Sequence, residues 1–196
     1  EAHEGIATPV ISMATFKELD RTYDFFFSIG GDGTLLKSVT FVRDLDIPIV
    51  GINTGRLGFL ATLQKETISE SIHNIFEGNY SLSERSLLSI ETEPYNECLS
   101  PLNFALNEIA VNRKNTTSMI KVETLVDGEY LTSYWSDGLI LSTPTGSTGY
   151  SLSCGGPVID PSTHSIVITP IAPHNLNARP LVLPDHCEIT LKVSGR

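Results

Sequence analysis

Gly30-Gly31-Asp32-Gly33-Thr34 stands where a run of aromatic and aliphatic residues, Asp24 to Ile29, gives way to an amphipathic helical pattern from Thr34 to about Arg43. A strand that ends in glycines and leads into a helix is where open α/β sheets bind ligands. Glycines let the backbone approach a ligand closely, and the N–H groups at a helix start favour anionic oxygens. A nucleotide phosphate is the guest this predicts. Neither G-x-G-x-x-G nor G-x-x-x-x-G-K-[ST] occurs, so the common phosphate loops do not account for the turn. Asp32 has two readings. A carboxylate beside phosphates repels them unless a metal or a proton-transfer task justifies it; otherwise the residue caps the helix that follows.

Two further clusters carry chemistry. Ser142 to Pro157 is crowded with Ser, Thr and Gly, which supplies flat, donor-rich backbone, hydroxyls for ribose or phosphate, and Tyr150 to cover a ring; an ordinary polar loop has the same composition. Asn107-Glu108 interrupts an apolar strand. Neighbours on a strand face opposite sides, so at least one is expected to enter a cleft unless the strand is a surface edge.

The elements that must hold these residues change character along the chain. After Asp46 and Pro48 comes a second apolar run, Ile49 to Ile52, then Gly55-Arg56-Leu57-Gly58-Phe59-Leu60 and a helical stretch from Thr67 to Phe76. Two buried strands joined through a helix predict parallel pairing. From Tyr80 onward the pattern is antiparallel β: strands are expected at Ser86 to Thr92, Ala105 to Asn112, Met119 to Val126, Glu129 to Ser136 and Ile166 to Ile171, with Asp127-Gly128 as a hairpin turn. The boundary falls at 79/80, giving an α/β domain over 1–79 and an all-β domain over 80–196.

The composition excludes several classes. In 196 residues, 13 Lys and Arg stand against 23 Asp and Glu, a net charge of −10. No basic tract tracks a phosphate backbone, so nucleic acid is not an expected partner. The charge-free stretch between Asp137 and Asp160 is too rich in Gly, Ser, Thr and Pro to favour lipid, so no membrane partner is expected. No leader segment opens the chain, and a first residue of Glu1 reads as a trimmed piece of something longer. Cys98, Cys154 and Cys187 are few, odd in number and far apart, which argues against a disulfide framework or zinc site and suits a cytoplasmic protein. His3, His73, His164 and His186 lack ligand spacing, and no residue is assigned to a metal. His174 reads as a turn-holding residue and Cys154 as a small packed one.

Taken together, the clusters resemble the NAD kinase family. Its pattern joins a GGDGT turn, a G-x-x-G-F-L segment, an Asn-Glu pair and a DGL-x-x-STPTGSTAYS-x-S-x-GGP block; here these are Gly30 to Thr34, Gly55 to Leu60, Asn107-Glu108 and Asp137 to Pro157. Thr169 to His174 and Arg179-Pro180 are similar to the family as well. Diacylglycerol kinases and 6-phosphofructokinases share close variants of GGDGT, but the long second block separates them. The rivals are a lipid or sugar kinase and a catalytically idle dinucleotide sensor. The resemblance implies an N-terminal Rossmann-like α/β domain, a mostly antiparallel all-β C-terminal domain, and further segments at both ends of the family's usual chain.

It also implies an enzyme that moves the γ-phosphoryl of ATP to the 2′-hydroxyl of the adenosine ribose of NAD, with a divalent cation, expected to be Mg, in a homo-oligomer, dimer or tetramer. Asp32 matches the family's proposed general base, Gly33 and Lys37 match positions lining the same pocket, and Phe59 matches an aromatic near the adenine. Asn107 and Glu108 match dinucleotide-binding residues, Asp137 a carboxylate near the nicotinamide end, and Thr148, Gly149, Tyr150, Ser151, Leu152 and Ser153 the adenosine cradle; Ser118 lines the site too. Asn107 and Tyr150 are expected to fix the ribose so that the 2′ oxygen reacts. Two departures stand out: Gly149 replaces the family's usual Ala, with little expected loss, and Trp135 stands where some members carry a basic side chain.

Overall fold

The computed structural model describes residues 18–55, 58–61, 63–99, 102–114 and 118–195; Arg56 and Leu57 of the expected G-x-x-G-F-L segment lie outside them. The chain divides into two compact units between Glu66 and Thr67. The helical stretch after Thr67 therefore goes with the second unit, whereas the change of pattern in the sequence lies later, at 79/80.

In the first unit, β1 (Phe26–Gly30), β2 (Ile49–Asn53) and β3 (Leu63–Gln64) form a parallel sheet in that order, with Phe26 opposite Ile49 and Ile52 opposite Leu63. Helix α1 (Asp32–Val42) makes the connection from β1 to β2. Gly30 turns strand into helix at φ +155°, and a Cβ there would run into the Thr34 side chain, so only glycine serves. On the face shared by Ser28 and Gly51, Leu35 of α1 and Ala61 from the segment before β3 fill the space a side chain on Gly51 would need. The Phe26 and Phe41 rings stack at 6.5 Å. Phe27 and Ile29 point the other way and stand 39% and 63% exposed. The expectation of a fully buried strand is thus corrected: α1 covers one face of β1 only.

The second unit opens with α2 (Ile68–Phe76) and a two-stranded antiparallel pair, β4 (Leu88–Ser89) with β5 (Phe104–Ala105). Next come β6 (Glu108–Asn112), β7 (Ile120–Val126), β8 (Glu129–Ser136) and β9 (Gly138–Ser142). A 3₁₀ turn at Thr145–Thr148 leads into α3 (Tyr150–Ser153), followed by β10 (Ser165–Ile171), β11 (Leu181–Pro184) and β12 (Ile189–Gly195). These build a four-stranded antiparallel sheet, β11-β10-β9-β6, and a three-stranded one, β12-β7-β8. Val122, Tyr134, Leu139, Leu141, Ile166 and Ile168 from both sheets make the core. Asp127 and Gly128 both take positive φ, 50° and 82°, as the expected hairpin turn between β7 and β8 requires.

Three expectations are corrected here. Ala105 to Asn112 is not one strand: the carbonyls of Leu106 and Asn107 accept hydrogen bonds from Thr143 Oγ1 and Thr143 N, so the chain leaves β4 and joins β9. Among the described residues, Leu88–Ser89 is the part of Ser86 to Thr92 that forms a strand, with Ile90 N donating one more bond to Asn103 O. Ser142 to Pro157 is not a plain polar loop: Ser142 ends β9, and Thr145–Thr148 and Tyr150–Ser153 are helical, with Ser142 to Ser147 and Ser151 buried and Tyr150, Leu152 and Ser153 exposed. Among the described residues no helix is long and apolar enough to cross a membrane.

Candidate functional site

In the first unit the side chain of Asp32 decides the geometry. Asp32 is the first residue of α1, yet it does not cap that helix. Its Oδ2 accepts the amide of Phe59 at 2.8 Å, and its Oδ1 accepts those of Leu60 at 3.1 Å and Ala61 at 3.2 Å. The helix-cap reading is thereby corrected: the carboxylate satisfies donors 27 to 29 residues away rather than those of its own first turn. Burial works to raise the Asp32 carboxyl, but the amides of Phe59, Ala61 and Leu60 outweigh it and hold it below the ordinary carboxylate range. The carboxylate also occupies the space a Cβ on Gly58 would take. An ionised carboxylate has about four acceptor positions. Among the described residues three are filled, which leaves one for a hydroxyl donor.

Around it, Gly33 is exposed with open space where a side chain would stand, and Lys37 is exposed one turn further along α1. Phe59 presents its ring to solvent, 71% exposed. At the carboxyl ends of β2 and β3 lies a pocket of about 270 Å³ lined by Asn53, Thr54, Gly55, Gln64, Lys65 and Glu66. Sequence reasoning passed over Lys65 and Gln64; the available signal was their place at the carboxyl end of a parallel strand, where ligands gather.

In the second unit, Asn107 and Glu108 approach one backbone stretch together. The Asn107 carbonyl accepts Thr143 N at 2.9 Å and lies so close to Gly146 that a Cβ there would overlap it. A Cβ on Gly149 would stand 3.1 Å from Glu108 Oε2 and 3.9 Å from Asn107 Nδ2. Both side chains thus come to Gly149, because the chain bends between β5 and β6 instead of alternating along one strand. Glu108 Oε2 is buried with no hydrogen-bond partner among the described residues, and burial pushes its carboxyl up.

The hydroxyls of the Ser/Thr block are mostly committed within the fold. Ser147 Oγ donates to Pro144 O at 2.6 Å and accepts Ile159 N at 3.0 Å. Ser151 Oγ pairs with Thr169 Oγ1 at 2.8 Å, both fully buried. Thr148 Oγ1 bonds back to Thr145 O at 3.4 Å. Tyr150 and Leu152, 41% and 44% exposed, and the exposed Ser153 are the members of this stretch open to a ligand.

Asp137 is not part of that group. Glu108 pairs with Ser142 at one end of the β6–β9 ladder and Asn112 with Gly138 at the other, so Asp137 lies beyond the far end, roughly 17 Å away along the strands. There Arg113 Nη2 meets Asp137 Oδ2 at 3.1 Å, and Arg113 N donates to the Asp137 carbonyl at 2.9 Å. Sequence reasoning missed Arg113. Trp135 is 41% exposed opposite Lys121, and its carbonyl accepts His174 N at 2.7 Å, which gives His174 a backbone role. Ser118 is half-buried two residues ahead of β7. Burial pushes the Cys154 thiol up, which suits packing rather than nucleophilic attack.

Comparisons with known proteins agree on one family. Models of the ATP-NAD kinase N-terminal domain and C-terminal domain match residues 6–80 and 106–196. An NAD kinase of Christiangramia forsetii is 66% identical over 186 residues, 94% of this chain and 63% of that protein. One of Flavobacterium psychrophilum is 57% identical over 194 residues, 99% of this chain and 66% of its own length. The chain thus spans less than two thirds of these curated relatives. Among solved structures, an NAD kinase from Archaeoglobus fulgidus in complex with ATP has a TM-score of 0.77 at 31% identity, covering 91% of this chain and 69% of that one. Yeast NADH kinase complexed with NADH has the same TM-score and identity, covering 88% and 53%. With its Gly-rich turn, its Asn-Glu pair and its Ser/Thr block all inside the matched regions, this chain belongs to the NAD kinase family.

Proposed function

We propose that the protein is an ATP-dependent NAD kinase, which transfers the γ-phosphoryl group of ATP to the 2′-hydroxyl of the adenosine ribose of NAD and releases NADP and ADP. The observation that carries this reading is the Asp32 carboxylate, held by three amides at a strand-to-helix turn with one acceptor position left, in a chain related to NAD kinases over both halves.

In this reading the remaining lone pair of Asp32 accepts the ribose hydroxyl proton. Phosphoryl transfer has a loose transition state, so that proton leaves late and a carboxylate held below its usual range is base enough. Its share is about 10²- to 10⁴-fold, with positioning and charge supplying the rest. Gly33 and Lys37 face the phosphates, Phe59 stacks on the adenine, and Asn107 and Tyr150 hold the ribose so that the 2′ oxygen reacts. Glu108 and the exposed members of the Thr148 to Ser153 stretch, Tyr150, Leu152 and Ser153, bind the adenosine half, and Asp137 and Ser118 contact the remainder of the dinucleotide.

Among the described residues no three His, Cys, Asp or Glu side chains gather into a metal site, and Asp32 has spent most of its acceptors. The reading includes a divalent cation, Mg, as cofactor, which would supply positive charge to the transferring phosphoryl group. A Rossmann-like first domain and a homo-oligomer, dimer or tetramer, complete the proposal.

The test is NADP formation by the full-length protein with ATP and magnesium. NADP carrying the new phosphate at the 2′ position is expected. Absence of NADP, or a mixture of 2′ and 3′ products, overturns the reading. ATP consumption without NAD that phosphorylates a lipid or a sugar points to the rival kinases.

A further inference from the structure

Phe59 sets a physical problem. A ring 71% exposed gains little from packing, yet a platform for a planar base must be held still, or binding bears the cost of ordering it. The segment that carries Phe59 is anchored on both sides. Ala61 is 2% exposed, with its Cα against Gly51 of β2. Asp32 holds the rest: the Phe59 amide donates to Oδ2 at 2.8 Å, those of Leu60 and Ala61 donate to Oδ1 at 3.1 and 3.2 Å, and Gly58 closes over the same carboxylate. Three successive N–H groups converging on one ionised acceptor form a charge-assisted clamp, stronger than the same number of neutral bonds.

We propose that Asp32 is also a positioning residue for Phe59: its carboxylate fixes the Gly58–Ala61 backbone so that the exposed ring is preset to stack on the adenine of the bound nucleotide. The proposal rests on the kinase reading for the identity of that base, but not for its geometry. It makes Asp32 contribute to binding through the ring, in addition to any hydrogen bond it accepts from the ribose hydroxyl.

The probe is adenosine, which has a base and a ribose but no phosphate, so no transfer chemistry enters. Its dissociation constant is measured by calorimetry on the full-length protein and on Asp32→Asn, Phe59→Ala and the double variant. Phe59→Ala is expected to weaken adenosine about tenfold, as loss of a stacking ring does. Asp32→Asn should weaken it severalfold, and the loss in the double variant should fall short of the product of the two single losses, because the two residues act partly through one ring. Adenosine binding by Asp32→Asn within twofold of the parent overturns the proposal, as do losses that multiply in the double variant. Failure of the parent to bind adenosine overturns it too.

Should Asp32→Asn not fold, amide hydrogen exchange on the unsubstituted protein decides. Slow exchange at Phe59, Leu60 and Ala61 is expected, and free-chain rates there overturn the clamp. A protein that shows the coupling but forms no NADP loses the kinase reading and keeps this one.

Discussion

A Cβ on residue 149 would stand 3.1 Å from Glu108 Oε2, the buried carboxylate oxygen that has no hydrogen-bond partner among the described residues. Gly149 is therefore where this chain makes room for Glu108, at a position where the family resemblance leads one to expect Ala.

That contact can give, because Glu108 is a flexible side chain with a free oxygen. Gly149→Ala should fold normally, with a stability loss under about 1 kcal/mol, while displacing Glu108 enough to raise the KM for NAD. Gly146→Ala is the contrasting case, since its Cβ would overlap the Asn107 backbone, which cannot swing aside. It should lose about 3 kcal/mol. Denaturant unfolding of both variants checks the difference; equal losses contradict it.

Glu108 also predicts a pH dependence. Burial raises its folded pKa above the unfolded value, so the native state holds a proton that the unfolded chain has released. The native state is unpenalised below the unfolded pKa, near 4.3, and loses stability as pH rises through the folded value. Glu108→Gln removes that loss. Its melting temperature should exceed the parent's at pH 7 to 8 and converge with it below about pH 4.

Asp32 carries the opposite sign. Burial raises its carboxyl, the three amides lower it by more, and the folded pKa lies below the unfolded one. Its stabilisation is present above the unfolded value, near 3.9, and is lost as pH falls through the folded one. Asp32→Asn should melt below the parent at pH 7 and approach it in acid. Its NADP turnover should fall at least about a hundredfold, and turnover near the parent's refutes the proton-acceptor role.

The Arg113–Asp137 pair, at 3.1 Å with side chains 30% and 29% exposed, is a partly solvated ion pair. Arg113→Ala should cost no more than about 1 kcal/mol, and less in high salt. Unfolding at two ionic strengths measures it. A loss of several kcal/mol, unchanged by salt, would mean that Arg113 supports the β6–β9 end by packing rather than by charge.

Local features were legible without coordinates. The strand–glycine–helix passage at Gly30, the parallel pairing of β1 with β2, and the Asp127-Gly128 hairpin each follow from periodicity and from residues that tolerate positive φ. β9 was hidden because five buried residues, Gly138–Ser142, sit directly before the Ser/Thr block and show no alternation. The break between β5 and β6 was hidden because it depends on Thr143, far along the chain.

The chemistry divides along the same line. Residue types and order were enough to say that a carboxylate ends a glycine-rich turn, and that an Asn-Glu pair and a run of small hydroxyl residues accompany it. Folding alone determined which donors Asp32 satisfies, that Glu108 is buried beside Gly149, that Ser147 and Ser151 spend their hydroxyls internally, and that Asp137 is paired with Arg113. Hydrogen-bond partners and burial are set by chain segments distant in sequence, and no local pattern encodes which of them will meet.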